Sequence, residues 1–242
     1  MKFKRITTQN NLFENNAWEN SEYVCGIDEV GRGCFCGPVV TAAIILPINS
    51  KQKKFIDSKL MTKEKRNVVY EWIKSNCFYS YSSIDHNEID RLNILETTKL
   101  SMTKSFFQLI ELLPFSHEKI KYLIVDAVKL NIPYCYKHKN LEIFNPVKGE
   151  STSISVAAAS IFAKVTRDKL MEKMSKHIQN FEIEKHKGYG TKTHQNALIK
   201  NGHSVIHRET FLSSFETNKR EKCEAKQQNI FKQYKLPRRF LI

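Results

Sequence analysis

The stretch CGIDEVGRGCFCGPVV (residues 25–40) joins two apolar segments through a short run of acids and glycines. Asp28 and Glu29 stand side by side directly after VCGI, and a second apolar segment, VVTAAIIL, follows at 39–46. Successive residues of a strand point to opposite faces, so two adjacent acids share one site only if the strand ends between them. We therefore predict a strand over 22–28 that ends at Asp28, with Glu29 opening the loop. A functional site is expected at this rim of a buried sheet.

The composition is that of a basic globular domain. The chain has 242 residues, 41% hydrophobic and 26% charged, which is enough for one domain plus an extension. Its net charge of +14 predicts a polyanionic partner, either nucleic acid or an anionic membrane surface. No apolar run approaches the roughly 18 residues that span a bilayer, and no secretory signal is evident, so we expect a cytoplasmic protein. The six cysteines lack a C-x-x-C pair and histidines at zinc-finger spacing, so we expect reduced thiols.

Strand and helix patterns then alternate along the chain. Strand patterns fall at 22–28, 37–47, 78–85, 121–128 and 141–147. Helix patterns fall at 57–76, 87–113 and 153–177. This order predicts an α/β fold with a mixed central sheet flanked by helices. The strongly basic segment from Glu216 onward is expected to be a partly ordered appendage.

A second strand pattern also ends in an acid, because Asp126 follows YLIV as Asp28 follows VCGI. Neighbouring strands could thus bring two or three carboxylates within a few ångströms, where like charges are unfavourable unless a cation compensates them. Carboxylate oxygens favour magnesium or manganese, and zinc is disfavoured by the ligand types in these motifs. In a protein this basic, the cluster predicts metal-assisted phosphoryl chemistry on nucleic acid.

Several motifs together resemble bacterial ribonuclease HII over about residues 22–215. They are GIDEVGRG, DSKLMTKEKR, LNILETTKLSM, VDAVKLNIP, KGESTSISVAAASIFAKVTRDKLM and GYGTKTHQNALIKNGHSVIHRETF. The resemblance implies a ribonuclease H-like α/β fold with a C-terminal helical extension. It divides the chain into an N-terminal extension (1–20), a catalytic domain (21–215) and a basic appendage (216–242). It also implies a monomeric endoribonuclease that cuts RNA paired with DNA, and single ribonucleotides in duplex DNA, leaving 5′-phosphate and 3′-hydroxyl ends.

The metal-binding, catalytic acids of the family map onto Asp28, Glu29 and Asp126, which would hold two Mg²⁺ or Mn²⁺ ions with substrate bound. The fourth acid is Glu150, in KGE where the family usually has Lys-Gly-Asp. Asp168 is its rival, but lies 18 residues further on, about 27 Å along a helix, and we prefer Glu150. Ala127 stands where the family usually has glycine. Because alanine avoids positive φ, we expect the turn there to differ slightly.

The resemblance assigns recognition of the ribose to the loop Gly31, Arg32 and Gly33, and to Tyr189, which would pack on the neighbouring sugar. The cationic and hydroxyl side chains that we expect to contact phosphates are Lys59, Lys148, Thr191 and Lys192. The terminal QQNIFKQY weakly resembles a sliding-clamp-binding peptide, and we do not adopt that interpretation.

Two alternatives stay open from the sequence. One is an activity like that of ribonuclease HIII, which needs longer RNA stretches. The other is a catalytically silent nucleic-acid-binding protein on the same scaffold, which the presence of all four acids disfavours.

Overall fold

The computed structural model of the protein describes residues 11–50, 55, 61–133, 136 and 138–212. Its strands are β1 (Tyr23–Val30), β2 (Val39–Ile45), β3 (Phe78–Ile84), β4 (Ile120–Val125) and β5 (Glu142–Phe144). Its helices are α1 (Leu12–Glu19), α2 (Lys63–Asn76), α3 (His86–Leu92), α4 (Ile94–Glu111), α5 (Ile154–Ser175), α6 (Ile183–His186) and α7 (Lys192–Asn201). Predicted appendage residues 216–242 and Lys59 lie outside the described ranges.

The strands form one mixed sheet with the order β3-β2-β1-β4-β5. Strand β1 lies at its centre, antiparallel to β2 and parallel to β4. The predicted α/β class with a mixed central sheet is therefore confirmed. Buried apolar residues along β2 agree with its central place, because a strand covered on both faces needs apolar side chains on both.

Helix α5 packs against one face of β1, and the fit depends on Gly26. A Cβ atom at Gly26 would lie 2.2 Å from the backbone carbon of Ser155, so only glycine allows this approach. Ser153 caps the helix by accepting a hydrogen bond from the N–H of Val156 at 3.3 Å. The alanine-rich sequence of α5 thus serves close packing, and the strand and helix that carry acids are held directly together.

The opposite face of the sheet is covered by α4. Met102, Phe106 and Leu109 of this helix are buried against Ile27 of β1 and other apolar residues of the same face. Burying side chains of this size stabilises the fold by about 1.5–3 kcal/mol each. The sheet is thereby held rigidly between two helices, which makes its edge a suitable base for a site.

The first described helix, α1, also belongs to this packed structure. Glu14 is buried and its carboxylate accepts hydrogen bonds from the hydroxyl of Ser153 and, at 3.0 Å, from the N–H of Ser155. Burial raises the pKa of Glu14, and these hydrogen bonds oppose that rise. Helix α1 therefore fastens the beginning of α5, although the sequence placed residues 1–20 in an extension.

The helical pattern over 87–113 divides in two, which the apolar spacing did not predict. Asn93 adopts φ 68° between α3 and α4. Its side-chain oxygen accepts hydrogen bonds from the N–H groups of Leu95 and Glu96 at 3.0 and 3.1 Å and so caps α4.

Among the helices described, none has the length and apolar character needed to cross a membrane.

Candidate active site

Asp28 and Glu29 both lie within β1, so the prediction that the strand ends at Asp28 was wrong. The strand continues to Val30, with Asp28 opposite Ala42 and Glu29 opposite Thr41 of β2. What ends first is the neighbour on the other side, because the parallel ladder to β4 stops at Ile27. The missing neighbour leaves the flank of β1 open beside both acids. Adjacent acids can therefore approach one cavity from opposite faces of the strand.

Three acids converge at this opening. Asp28, Asp126 and Glu150 each place a carboxylate oxygen within 4.8 Å of the others. Asp126 directly follows β4, and Glu150 lies in a short 3-10 turn (Gly149–Ser151) that leads into α5. Of the sequence-predicted acids, Glu29 lines the same cavity but is outside this group of three.

Neighbouring groups hold two of these carboxylates in place. The N–H of Gly149 donates a hydrogen bond to Asp126 at 2.6 Å, which fixes the turn carrying Glu150 against the end of β4. The hydroxyl of Ser160 in α5 donates to Asp28. The sequence reasoning missed Ser160, because only the packing of α5 against the sheet shows which serine of this helix faces Asp28.

The electrostatics of the acids show that they are crowded and dehydrated. Burial raises the pKa of Asp28 well above its ordinary value, and the charges of Glu29 and Asp126 raise it further. Burial also raises the pKa of Glu29, against the opposing effect of Arg32, whose guanidinium lies 3.2 Å from its carboxylate. The second carboxylate oxygen of Glu29 is buried without a hydrogen-bond partner among the described residues. Unpaired negative charge of this kind suits a cation.

The acids open into a cavity of about 400 Å³. Its lining comprises Asp28, Glu29, Val30, Gly31, Arg32, Gly33, Arg66, Asp126, Glu150, Ser160, Lys164 and Tyr189. Acids occupy one part of this wall, and the other part includes a glycine loop and three cationic side chains. Such a wall can hold cations and phosphates together.

The two glycines of the loop differ in what they require. Gly31 adopts φ +97°, and a Cβ there would lie 2.3 Å from the side chain of Arg167, so the fold itself requires glycine. At Gly33 an added Cβ would meet no heavy atom within 4 Å. The space beside Gly33 is therefore not filled by the protein, so glycine is not required there for packing.

Tyr189 reaches the cavity from the segment before α7. It is 37% exposed, and the ammonium of Lys164 lies 5.6 Å from its ring centre. Lys164 also pairs with Asp168 at 2.8 Å. Asp168 is thus bound within α5 and is outside the group of three acids, as expected for the weaker candidate.

The predicted phosphate contacts are less closely gathered. Lys148 and Lys192 are exposed and neither lines the cavity. The hydroxyl of Thr191 accepts a hydrogen bond from the N–H of His194 at 3.3 Å and so caps α7. Thr191 therefore has a structural role that the sequence reasoning did not assign. Arg66 and Lys164, which were not predicted, are the cations that line the cavity with Arg32.

Ala127 keeps the backbone conformation that we expected alanine to avoid. Its φ is +48°, in the left-handed region, and its N–H donates to the carbonyl of Pro146 at 3.1 Å. For an L-residue this conformation is less favourable by roughly 1–2 kcal/mol of free energy. The expectation that alanine would avoid positive φ here was wrong, because the backbone keeps this conformation together with the hydrogen bond to Pro146.

A second group of metal-capable side chains lies elsewhere in the fold. Cys36, His194 and His207 are buried, and each offers a ligand atom within 4.8 Å of the others. The ring nitrogens Nε2 of His194 and His207 lie 2.9 Å apart. The sequence did not predict this group, because its members are far apart in the chain. The described cysteines are free thiols, as predicted.

Comparison with known proteins agrees with this geometry. The family model for ribonuclease HII matches residues 25–217. Ribonuclease HII of Caldanaerobacter subterraneus is 41% identical over 214 residues, covering 87% of this chain and 83% of that protein.

Solved structures show the same fold. Ribonuclease H2 of Pyrococcus horikoshii superposes with a TM-score of 0.62 at 21% identity, covering 82% of this chain and 98% of that one. A Bst ribonuclease HIII in complex with Mn²⁺ superposes with a TM-score of 0.60 at 19% identity, covering 80% of this chain and 69% of that one. With the family model spanning most of the sequence, this chain belongs to the ribonuclease HII family, the metal-dependent ribonucleases H of type 2.

Proposed function

We propose that this protein hydrolyses the RNA strand of RNA/DNA hybrids and cuts at single ribonucleotides embedded in duplex DNA, using two divalent cations. The observation that carries the proposal is the convergence of Asp28, Asp126 and Glu150 beside a glycine loop with free space at Gly33. Acids in that place can hold cations against a phosphate, while an open backbone can approach a sugar closely.

The donor set fits a hard divalent cation. Asp28, Asp126 and Glu150 supply only carboxylate oxygens, and the buried, unpartnered oxygen of Glu29 adds a fourth acid. Two cations of charge +2 would balance four carboxylates. When bound, Mg²⁺ or Mn²⁺ supplies Lewis-acid activation of water and stabilises charge on the departing oxygen. Ser160 and the N–H of Gly149 orient the carboxylates that receive them.

The reaction that we propose is hydrolysis by water. Water attacks the phosphorus that follows a ribonucleotide and loses a proton to solvent, the bond from phosphorus to the 3′-oxygen breaks, and that oxygen takes up a proton from solvent. The products are a 5′-phosphate and a 3′-hydroxyl, since water rather than the 2′-hydroxyl is the nucleophile. A divalent cation held by the acids would lower the pKa of the attacking water, so no side-chain general base would be needed.

Selectivity for ribose must come from outside the acids, since a metal site alone would cut DNA as readily. The 2′-hydroxyl is the group that distinguishes RNA from DNA at a given position. We assign its recognition to the backbone of Gly31, Arg32 and Gly33, which lines the cavity, with Tyr189 packing on the adjoining sugar. A site built around one hydroxyl discriminates strongly, because its absence leaves polar groups unpaired.

Duplex binding would rest on the basic charge of the chain. The net charge of +14 favours phosphates, and Arg66 and Lys164 in the cavity wall stand where a backbone beside the acids would pass. Lys148, Thr191, Lys192 and Lys59 stay proposals as outer phosphate contacts. A cytoplasmic location and a monomeric state likewise stay expectations from the sequence.

The deciding experiment compares two substrates in Mg²⁺ and in Mn²⁺. One is a DNA duplex with a single embedded ribonucleotide, and the other is a long RNA/DNA hybrid. We expect cleavage of both, with 5′-phosphate and 3′-hydroxyl ends. Cleavage of the long hybrid alone would indicate the ribonuclease HIII-like alternative, and binding without cleavage in either metal would indicate a silent binding protein.

A further inference from the structure

Two buried arginines lie behind the glycine loop. Arg167 in α5 and Arg208 near the end of the described chain are both 0% exposed. Neither forms an ion pair within the described ranges, and both donate hydrogen bonds to main-chain carbonyls. Burial lowers the pKa of Arg208 to about 10, so it stays charged at neutral pH. A buried charge without an ion pair is costly, so its position calls for an explanation.

Arg208 holds the carbonyls of the recognition loop itself. Its guanidinium donates to the carbonyl of Gly31 at 2.7 Å and to that of Arg32 at 2.8 Å. It also donates to the carbonyl of Gly37 at 2.8 and 3.0 Å, where the loop returns to β2. Arg208 and Gly37 are 171 residues apart in sequence, so this contact exists only in the folded protein.

These contacts fix the direction of two peptide groups. In a planar trans peptide the C=O and the following N–H point in opposite directions. Since Arg208 binds the carbonyls of Gly31 and Arg32, the N–H groups of Arg32 and Gly33 face away from it. No described residue accepts a hydrogen bond from either N–H, and both residues line the cavity. The loop thus presents two unpaired donors beside the acids.

We propose that Arg208 is a positioning residue for ribose recognition, which holds these two peptides so that their N–H groups face the 2′-hydroxyl of the substrate. This inference rests on the function proposed above. A glycine-flanked peptide can rotate easily, and rotation would replace each N–H donor by a carbonyl acceptor. Rotation here would also break charge-assisted hydrogen bonds and leave buried N–H groups of Arg208 unpaired. The guanidinium therefore opposes the rotation.

The test is the variant Arg208→Lys in an Asp126→Asn background, measured in EDTA so that the duplex is bound but not cut. Lysine keeps the positive charge but is a single point donor that cannot hold both carbonyls as a planar fork does. The measurement is the Kd for a duplex with one ribonucleotide and for the same duplex made of deoxynucleotides. We expect the preference for the ribonucleotide to fall about tenfold, with the all-deoxy Kd nearly unchanged.

A core variant, Leu109→Ala, serves as the matched control. Leu109 is buried in an apolar cluster between α4 and the sheet to which neither Arg208 nor the loop belongs, so its truncation lowers stability without removing a loop contact. It should leave the ribonucleotide preference unchanged. An unchanged preference in Arg208→Lys, or a parallel loss of affinity for both duplexes, would overturn the role given to Arg208. If the parent protein itself shows no preference, the proposed function fails instead.

A second measurement covers the case in which Arg208→Lys does not fold. Amide hydrogen exchange at Arg32 and Gly33 can be followed in the Asp126→Asn protein with each duplex. The ribonucleotide duplex should slow exchange at both amides, and the all-deoxy duplex should not. Equal protection by the two duplexes, or none by either, would contradict the presentation of these donors to the ribose.

Discussion

The two groups of metal-capable side chains in this protein lead to opposite conclusions. Asp28, Asp126 and Glu150 form one group, called here the acidic group. Cys36, His194 and His207 form the other, called the histidine group. Each brings its ligand atoms within 4.8 Å of one another. Distance alone therefore does not distinguish them.

The histidine group satisfies its own hydrogen bonds. The carbonyl of Tyr189 can only accept, so Nδ1 of His194 carries a proton. The N–H of Ser204 donates to Nδ1 of His207 at 2.9 Å, so that nitrogen carries none. The neutral ring of His207 is therefore protonated at Nε2, which donates to Nε2 of His194 at 2.9 Å. A metal bound here would have to break this series of hydrogen bonds. A histidine that binds a metal usually donates a hydrogen bond from its other ring nitrogen, whereas Nδ1 of His207 accepts a hydrogen bond.

The acidic group shows the reverse. Its charges repel, burial raises the pKa of Asp28, and an oxygen of Glu29 has no partner among the described residues. It also opens to a cavity, and no member of the histidine group lines that cavity. Buried, unsatisfied charge at the wall of an open cavity indicates a cation site, whereas a closed set of neutral hydrogen bonds indicates a structural role.

The largest effect should come from removing one acid. Asp126→Asn should lower cleavage by roughly 10²- to 10³-fold, because it removes a group that acts on the transition state. Duplex binding should change little, since no phosphate contact is lost. Single-turnover cleavage and a binding titration measure the two. His207→Gln is the matched change in the histidine group and should keep cleavage within a few-fold, and a comparable loss there would erase the contrast.

Divalent cation should stabilise the protein through the acidic group alone. At a Mn²⁺ concentration of about 100 times Kd, the free energy of unfolding should rise by about 2.7 kcal/mol. Thermal unfolding with Mn²⁺ and with EDTA measures this change. Asp126→Asn should lose most of the increase and His194→Gln should keep it. The opposite pattern would place the cation among the histidines.

The histidine group should make stability fall in mild acid. Burial is the main cause that lowers the pKa of His194 and of His207 to about 4, below the ordinary 6.5. Below pH 6.5 these two histidines take up protons in the unfolded chain but stay neutral in the folded protein. Their contribution to the free energy of unfolding is therefore fully present above pH 6.5 and is lost as the pH falls toward 4. The decrease in Tm from pH 7.5 to pH 5 should be smaller in His207→Gln. The exposed His177→Gln variant should behave as wild type, and an unchanged slope in His207→Gln would refute this account.

Gly33→Ala should affect substrate recognition without affecting the fold. An added methyl meets no protein atom within 4 Å, so the free energy of unfolding should change by less than about 1 kcal/mol. If the loop approaches the ribose there, cleavage at an embedded ribonucleotide should fall about tenfold. The rate on that substrate and the Tm of the variant test both statements, and an unaltered rate would exclude close approach at Gly33.

The smallest effect is a gain in stability without metal. Asp28→Asn removes one of the mutually repelling, buried charges, and should raise the free energy of unfolding in EDTA by about 1 kcal/mol. Urea unfolding in EDTA measures it. Lower stability in EDTA would mean that the hydrogen bonds of Asp28 with Ser160 and the N–H of Glu29 outweigh the repulsion.

Much of the fold and of the acidic group could be predicted from local sequence. An acid directly after a short apolar strand pattern identified Asp28 and Asp126, because strand period and burial are local properties. The helix pattern over 153–177 predicted α5, and Glu150 was placed just before it. The wrong predictions were also local in origin. The end of β1 depended on where β4 stops, and the positive φ of Ala127 accompanies a hydrogen bond to Pro146, 19 residues away.

What only the tertiary structure decided are the contacts between distant segments. The pairing of His194 with His207 and the hydrogen bonds from Arg208 to Gly31 and Arg32 follow from how the segment after α5 packs against the 31–38 loop. Sequence periodicity states which face of an element is apolar, but not which remote element covers it. The residue types and their spacing thus determined an acidic nuclease-like site on an α/β sheet. The folded arrangement determined which polar groups are satisfied and which stay available for a ligand, because hydrogen bonding and burial depend on neighbours far away in the chain.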